Sequence, residues 1–329
     1  MRVVVCSKLG SLSELTVEER PSPPITANQV RVAVAAAGVN FVDGLFVQGR
    51  YQIKPPLPFV PGNEVAGRVV EVGSDVTQWS IGDRVFANVG LGGFASEVVV
   101  DERRLVATPA ALSDGQAATF TQSYLTAWFA LHHRARAVSG QWLLVLGAGG
   151  GVGLAAVDVG VAMGLQVIAA ASTPDKRAVA AERGAIAVID SSTDDVKARA
   201  KELTAELGGD RDGVDLVYDP VGGAAGEQAL RALREDGQFI VIGFASGAIP
   251  QLPANQVLLR NRRVTGVDWG AWAGRHPVGN EAMLADVLAA VAAGALHPVE
   301  PVCYPLADAG RAMQDQLDRR VTGKTALVP

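Results

Sequence analysis

Short apolar runs separated by turn residues fill the first third of the chain. Valine-rich segments lie between glycine, proline and aspartate residues, a pattern typical of β-strands. These segments are VRVAVAAAGVN, VAGRVVEVG, DRVFANVG and ASEVVV. Prolines recur from Pro21 to Pro61, and each removes a backbone donor and disrupts a helix. The pattern predicts a compact, antiparallel, β-rich domain.

The hydrophobic spacing becomes helical near residue 112. The segment LSDGQAATFTQSYLTAWFALHHRA carries that spacing, and Ser113 with Gln116 forms a capping box at its start. From Gln141 onward, strands such as the continuous apolar run WLLVLG alternate with helices such as TPDKRAVAAERG, which has Thr173 as its cap. This alternation with short turns predicts a parallel, doubly wound sheet of the Rossmann type.

The last part of the chain contains a further helix, EAMLADVLAAVAAGAL, and short β segments. We expect this short tail to complete the first domain. The predicted fold class is α/β. Residues 1–118 and 270–329 form the β-rich domain in this prediction, and residues 119–269 form the Rossmann domain.

Composition and charge narrow the possible functions. The chain has 329 residues and a formal net charge of −5, so no overall basic field favours nucleic acid. Its two cysteines, Cys6 and Cys303, form no CxxC motif, which argues against a structural zinc lobe or a disulfide framework. Because we find no leader-length apolar segment and no run of membrane-spanning length, we expect a cytoplasmic protein without a membrane partner.

A glycine-rich stretch, LGAGGGVG, lies between the predicted strand WLLVLG and the helix that follows it. Glycines permit a tight turn and let backbone N–H groups approach a pyrophosphate, and the positive end of the helix favours the anion. We expect Gly150, Gly151, Val152 and Gly153 to make this approach. The strand–turn–helix context favours a dinucleotide site over a turn that packs closely without a ligand.

The residues that select NADH or NADPH lie about twenty positions further on. An NAD enzyme carries Asp or Glu there, whereas this chain has the segment 170–173, AAST, followed closely by Lys176. A carboxylate at this place would repel a 2′-phosphate, so its absence and the presence of Ser172 and Lys176 predict NADPH. Asp175 is a mild objection, and the alternative for Lys176 is a solvated residue in the first helical turn.

Several motifs together resemble the medium-chain dehydrogenase/reductase superfamily, and within it the zinc-free quinone oxidoreductases. They are AAGVNFVDG, PGNEVAG, VVEVGSDV, IGDRVFA, LTAWFAL, GAGGGVGLAA and YDPVGG, and the resemblance covers nearly the whole chain. It implies a GroES-like β-rich catalytic domain, a Rossmann NADPH-binding domain and a homodimer.

The zinc enzymes of this superfamily bind their catalytic metal through Cys, His and Cys. The matching positions here are Asn40, Asn63 and, by a looser match, Gln122. Amides are poor zinc ligands beside thiolate and imidazole, and the four histidines of the chain lack partners at ligand spacing. We therefore expect no metal site.

Without zinc, the expected substrate is an electron-poor small molecule, a quinone or an enone, whose oxygen is held by one or two donors. The resemblance assigns this catalytic role to Asn40, which would also contact the cofactor, and to Tyr51, whose phenol would supply a proton. The alternatives are a turn residue at a strand end for Asn40 and an aromatic residue packed in a proline-rich loop for Tyr51.

The resemblance carries over cofactor contacts at four further positions, Thr126, Gly243, Phe244 and Arg320. Ser191 stands where the family often has a tyrosine near the 2′-phosphate, which places more weight on Lys176.

The sequence thus predicts an NADPH-dependent, zinc-independent quinone oxidoreductase. The nearest alternative is an enoyl-thioester or enone reductase on the same scaffold. The other is a non-enzymatic NADPH-binding protein with a structural or sensing role.

Overall fold

The computed structural model of the protein describes residues 1–209 and 213–329. The strands are β1 (Arg2–Val5), β2 (Thr16–Glu19), β3 (Gln29–Val39), β4 (Glu64–Val72), β5 (Arg84–Asn88), β6 (Glu97–Asp101), β7 (Val106–Ala107), β8 (Trp142–Leu146), β9 (Gln166–Ala171), β10 (Ala187–Asp190), β11 (Val214–Asp219), β12 (Leu233–Val241), β13 (Arg263–Gly266), β14 (Val302–Pro305) and β15 (Thr325–Val328).

The α-helices are α1 (Phe41–Val47), α2 (Asp114–Ala118), α3 (Thr121–Trp128), α4 (Gly151–Ala162), α5 (Pro174–Glu182), α6 (Val196–Glu206), α7 (Gly223–Leu230), α8 (Ala254–Leu258), α9 (Trp269–Arg275), α10 (Pro277–Ala292) and α11 (Ala309–Leu317). Short 3₁₀ segments cover Leu12–Glu14, Glu102–Arg104 and Leu306–Asp308. Across the described residues, we find no helix with both the length and the apolar character of a membrane span.

The described residues form two compact units. The first consists of Met1–Gln122 and Pro298–Pro329, and the second consists of Ser123–His297. Residues 270–297, which we expected in the first unit, therefore lie in the second, and residues 119–122, which we expected in the second, lie in the first. Local packing accounts for the difference, because the Trp272 ring lies 4.8 Å from the Phe129 ring, centroid to centroid.

The first unit is built on a seven-stranded sheet in which β3 is the most connected strand. Strands β4, β6 and β15 all pair with it in antiparallel fashion, as the valine-rich segments predict. The backbones of β3 and β4 lie very close together at Gly67, since a Cβ on this residue would lie 1.9 Å from the Ala33 carbonyl oxygen. The antiparallel β-rich domain is confirmed.

The second unit contains a six-stranded parallel sheet in the order β10-β9-β8-β11-β12-β13. This is the strand order of doubly wound dinucleotide-binding folds, with the change of direction beside β8. Strands β8 and β9 are almost wholly buried, as a sheet covered on both faces requires. The predicted α/β fold class is confirmed.

The helical stretch after residue 112 is broken where the sequence pattern is continuous. Helix α2 ends at Thr119, whose Oγ1 donates to the Gly115 carbonyl oxygen at 3.0 Å. After α3, the segment Phe129–Ala135 is π-helical and ends at Arg136, which has a φ of 53°. The capping box of Ser113 with Gln116 is confirmed, and so is the Thr173 cap of α5.

Candidate active site

The sheet register of the first unit places three chain segments at one end of β3. Thr325 of β15 pairs with Val39, and Glu64 of β4 pairs with Gly38. Lys324, Asn40 and Glu64 therefore lie side by side, although they are far apart in the sequence. Sequence reasoning singled out Asn40 alone among them.

The Asn40 amide is fixed from both ends. Its Nδ2 donates to Glu64 Oε2 at 2.7 Å and to Asn63 Oδ1 at 3.0 Å. Its Oδ1 accepts from Lys324 Nζ at 2.7 Å. Both amide hydrogens are thus in use inside the protein, so Asn40 could donate to a substrate oxygen only by giving up one of these bonds.

Asp43, in the first turn of α1, completes the cluster around Asn40. Its Oδ2 accepts from the Asn40 backbone N–H at 2.7 Å. The residues Asp43, Glu64 and Lys324 are only 1%, 1% and 5% exposed, so three charged groups share one buried site. Burial of charges on this scale is costly unless each charge is paired. Together the ionised groups would carry a net charge of −1.

Protonation of Asp43 removes this excess charge. Burial raises the pKa of Asp43 to about 7, the backbone N–H of Asn40 opposes the shift, and the Glu64 carboxylate adds to it. Burial also lowers the pKa of Lys324, against the opposing effect of Glu64 and Asp43. Near neutral pH, Asp43 therefore exchanges a proton within a buried cluster that holds Asn40.

Asn63 and Gln122 form the less buried edge of this cluster. Asn63 Nδ2 donates to Gln122 Oε1 at 3.4 Å, and the Gln122 backbone N–H donates to Glu64 Oε1 at 2.7 Å. The three positions that match zinc ligands in the resemblance are thereby linked in one hydrogen-bonded chain. Within the described residues, Gln122 Nε2 has no hydrogen-bond partner, so its donors are available to a ligand.

Tyr51 lies beyond the other end of α1. Its ring packs edge to face on Phe46, with the centroids 4.8 Å apart, and 37% of the residue is exposed. Helix α1, about 10 Å long, and the three residues that follow it lie between Asn40 and Tyr51 along the chain. The packing expected from the alternative interpretation is present, and the proton-donor role of Tyr51 stays a prediction.

The glycine-rich stretch of the second unit forms the predicted turn between β8 and α4. Gly150 is the N-cap of α4, so the N–H groups of Gly151, Val152 and Gly153 are in the first helical turn and have no intrahelical acceptor. A Cβ on Gly153 would lie 2.3 Å from the Gly147 carbonyl oxygen, which restricts this position to glycine. Backbone donors at a helix N-terminus fit a pyrophosphate.

Lys176 lies against this turn. A Cβ on Gly149 would lie 2.4 Å from Lys176 Cβ, and Lys176 is 8% exposed. The alternative of a solvated lysine is therefore wrong, because the side-chain stem packs across the glycine turn. Ser172 is exposed directly after the end of β9, beside Thr173, the cap of α5.

The other predicted cofactor contacts lie in different parts of the two units. Thr126 is buried in α3 of the second unit. Gly243, whose N–H donates to the Asp219 carbonyl oxygen at 3.3 Å, and the exposed Phe244 follow the carboxyl end of β12. Arg320 belongs to the first unit, where Asp315 and Asp318 occupy its guanidinium at 3.1 and 3.0 Å. A phosphate contact by Arg320 would compete with both carboxylates.

Sequence reasoning missed Asp43, Glu64 and Lys324. Glu64 stands next to Asn63 in PGNEVAG, and a carboxylate at the start of an apolar strand was a usable signal. Among the described residues, no three His, Cys, Asp or Glu side chains are grouped so that they could hold a metal ion.

Each of the two units contains a match to a known protein family. Residues 26–110 match the alcohol dehydrogenase GroES-like domain, and residues 151–294 match the zinc-binding dehydrogenase family. The chain is 40% identical over 330 residues to the quinone oxidoreductase-like protein 2 homolog of Nematostella vectensis, covering 99% of this chain and 88% of that protein.

Two solved structures are similar over nearly the whole chain. Escherichia coli quinone oxidoreductase complexed with NADPH is 29% identical, with a TM-score of 0.87 and coverage of 100% of both chains. The CurK enoyl reductase is 26% identical, with a TM-score of 0.86 and coverage of 99% of this chain and 98% of that one.

Proposed function

The chain belongs to the medium-chain dehydrogenase/reductase superfamily, among its quinone oxidoreductase-like proteins, and on that premise we propose that it reduces a quinone with NADPH and without zinc. The observation that carries the proposal is the hydrogen-bonded chain of Asn40, Asn63 and Gln122. Three amides engaged with one another leave no thiolate or imidazole for zinc, and they offer donors to an acceptor oxygen instead.

The cofactor site uses backbone groups for the pyrophosphate and side chains for the 2′-phosphate. The N–H groups of Gly151, Val152 and Gly153 bind the pyrophosphate, and Lys176 and Ser172 bind the 2′-phosphate. When bound, NADPH supplies the hydride. The burial of Lys176 against Gly149 supports this assignment, because the lysine is held beside the turn before any ligand arrives.

The acceptor oxygen is held at the edge of the amide chain. Gln122 Nε2 donates to it, and the second hydrogen of Asn63 Nδ2 is the next available donor. Removal of one such donor typically costs about 2.7–4 kcal/mol of transition-state stabilisation. Asn40 acts chiefly as a positioning residue in this arrangement, since Lys324 and Glu64 fix its amide, which in turn fixes Asn63.

The reduction of a quinone to a hydroquinone requires a hydride and a proton. After hydride transfer, one oxygen carries a negative charge and takes a proton from Tyr51 or from water. The phenol of Tyr51 is then restored from solvent, to which the residue is 37% exposed.

The test is NADPH oxidation by the chelator-treated enzyme with 9,10-phenanthrenequinone and with crotonyl-CoA, measured side by side. We expect full activity after chelation and faster turnover of the quinone. Loss of activity that added zinc restores would contradict the zinc-independent mechanism. NADPH binding without turnover of either acceptor would favour the non-enzymatic alternative.

Reduction of an enoyl thioester is the second candidate, favoured by the similarity to the CurK enoyl reductase. A preference for crotonyl-CoA in the same assay would support it. In that case Tyr51→Phe should abolish most alkene reduction, because protonation of carbon needs a placed acid. Equal small losses with both acceptors would contradict a role of Tyr51 as proton donor.

We also propose a homodimer formed through the edge of the parallel sheet. Strand β13 pairs with β12 alone among the described strands, and its Val264 is 44% exposed. Leu258 and Leu259, just before it, are 76% and 71% exposed. An unpaired strand edge beside apolar side chains is suited to pairing with a second copy. Leu258→Glu with Leu259→Glu should give monomers by light scattering, and an unchanged dimer would contradict this interface.

A further inference from the structure

An ion pair joins the carboxyl ends of β9 and β10. Arg177 Nη1 lies 2.8 Å from Asp190 Oδ2 and also donates to the Ala171 carbonyl oxygen at 3.3 Å. The parallel register sets Asp190 opposite Ala171, so the two strand ends are adjacent. The side chains of Arg177 and Asp190 are 19% and 26% exposed, which leaves the pair accessible from solvent.

Asp190 is held in place by its own loop. Its Oδ1 accepts from the Ser192 backbone N–H at 3.0 Å and from the Ser192 hydroxyl. Its backbone N–H donates to Asp194 Oδ2 at 3.1 Å. The Ser192 bonds lower the pKa of Asp190, and Arg177 acts in the same direction. A carboxylate anchored in this way fixes the guanidinium that it binds.

The bonds of Arg177 leave one side of its guanidinium available. Both described contacts use Nη1, and within the described residues Nε and Nη2 have no hydrogen-bond partner. The Nε and Nη2 groups together form a fork that matches two oxygens of a phosphate. Asp190 thus holds Arg177 by one nitrogen and leaves this fork for a ligand.

The pair lies at the strand edge that carries the glycine turn. The Ala148 N–H of that turn donates to the Ala170 carbonyl oxygen at 3.0 Å, at the end of β9. In this fold the adenosine ribose sits beside the end of the second strand. Lys176, the neighbour of Arg177, already packs against Gly149 of the turn.

We propose that Arg177, held by Asp190, is a second cation for the 2′-phosphate and that this pair sets the preference for NADPH over NADH. The inference rests on the proposed use of NADPH. Without Arg177, the Asp190 carboxylate would repel a 2′-phosphate and accept a hydrogen bond from a 2′-hydroxyl, as the acidic residue of an NAD enzyme does.

The test compares binding of 2′,5′-ADP and 5′-AMP by calorimetry, which needs no turnover. Arg177→Gln should weaken 2′,5′-ADP about tenfold or more, since a hydrogen bond to a charged group is lost, and should leave 5′-AMP within about twofold. Asp190→Asn should tighten 2′,5′-ADP several-fold, because a negative charge is removed while the Asn amide oxygen and the Ala171 carbonyl still accept from the guanidinium. The matched control is Arg199→Gln, which removes an arginine paired with Glu202 and Glu206 on α6.

Each outcome separates the inference from the proposed function. Wild-type protein that binds 2′,5′-ADP no better than 5′-AMP would contradict the use of NADPH itself. Wild-type discrimination that both variants leave unchanged within about twofold would overturn the role of the pair alone. Equal weakening of both nucleotides by Arg177→Gln would also overturn it, because the loss would then not depend on the 2′-phosphate. The ratio of kcat/KM for NADPH and NADH should follow the same order.

Discussion

The two candidate binding regions differ in the part of the chain that forms them. The glycine-rich turn of the second unit presents backbone N–H groups, and its glycines matter because they have no side chain to fill the space beside them. The cluster around Asn40 in the first unit is made of side chains, each of which fixes the next. The first region depends on space near the backbone, and the second depends on charge and hydrogen-bond partners.

This difference predicts different responses to substitution. A change in the turn should abolish cofactor binding and leave most of the first unit intact. A change in the cluster should reduce stability, because a buried charge loses its partner.

Lys324→Met should have the largest effect on stability. It leaves the Asp43 and Glu64 carboxylates without their cation and removes the donor to Asn40 Oδ1. Loss of one partner of a buried ionic group costs about 3–5 kcal/mol. Urea unfolding measures this cost, and Lys54→Met, at an exposed lysine of the same unit, should be nearly neutral.

Addition of Asp43→Asn to Lys324→Met should recover part of the loss, because one unpaired negative charge is then removed. If the stability loss of the double variant equals the sum of the losses of the two single variants, Asp43 and Lys324 do not interact.

The pH dependence of stability tests whether the pKa of Asp43 is raised in the folded protein. Its folded pKa of about 7 lies above the ordinary value of 3.8, so the folded protein binds more protons between these values. Its contribution is therefore complete below about pH 4 and is lost as the pH rises through 7. The pKa of Lys324 is lowered by folding, so the folded protein binds fewer protons there than the unfolded chain does. The contribution of Lys324 to stability therefore increases as the pH rises above its folded pKa.

Asp43→Asn should remove this loss. Between pH 4 and 7, the free energy of unfolding of this variant should decrease by roughly 2–4 kcal/mol less than that of the wild type. Asp75→Asn, at an exposed aspartate of the same unit, should keep the wild-type slope. A wild-type slope retained by Asp43→Asn would place the titrating group elsewhere.

Gly153→Val should disrupt the glycine-rich turn of the second unit. Any Cβ at this position meets the Gly147 carbonyl oxygen, so the turn must open and its N–H groups lose their alignment. We expect NADPH to bind at least about 100-fold more weakly, a loss of about 2.7 kcal/mol, measured by fluorescence titration. Gly274→Ala is the control, since a Cβ there meets nothing within 4 Å. Retained NADPH affinity in Gly153→Val would exclude this turn as the pyrophosphate site.

The sequence predicted the second region better than the first for a physical reason. The turn is formed by consecutive residues, so spacing alone identifies Gly150 to Gly153. The partners of Asn40 come from α1 and from the starts of β4 and β15, and only the register of β3 with these two strands brings Glu64 and Lys324 together. Lys176 shows the same limit, because its burial depends on packing across Gly149 rather than on its place in α5.

The sequence pattern also did not predict the break in the long helical segment. Apolar spacing continues through Thr119, but α2 ends there, because Thr119 has a φ of −119° and a ψ of 7° that lie outside the helical region. The domain boundary was misplaced because the contact between Trp272 and Phe129 joins distant parts of the chain.

Turnover of 9,10-phenanthrenequinone by metal-free Gln122→Met tests whether the Gln122 amide donates to the acceptor oxygen in place of zinc. The change keeps the length of the side chain and removes the donors at the edge of the amide chain. We predict that kcat falls about 100-fold or more while the Kd for NADPH stays the same, as expected for a donor that acts on the acceptor oxygen. An unchanged kcat would contradict the proposal that these amides replace the metal.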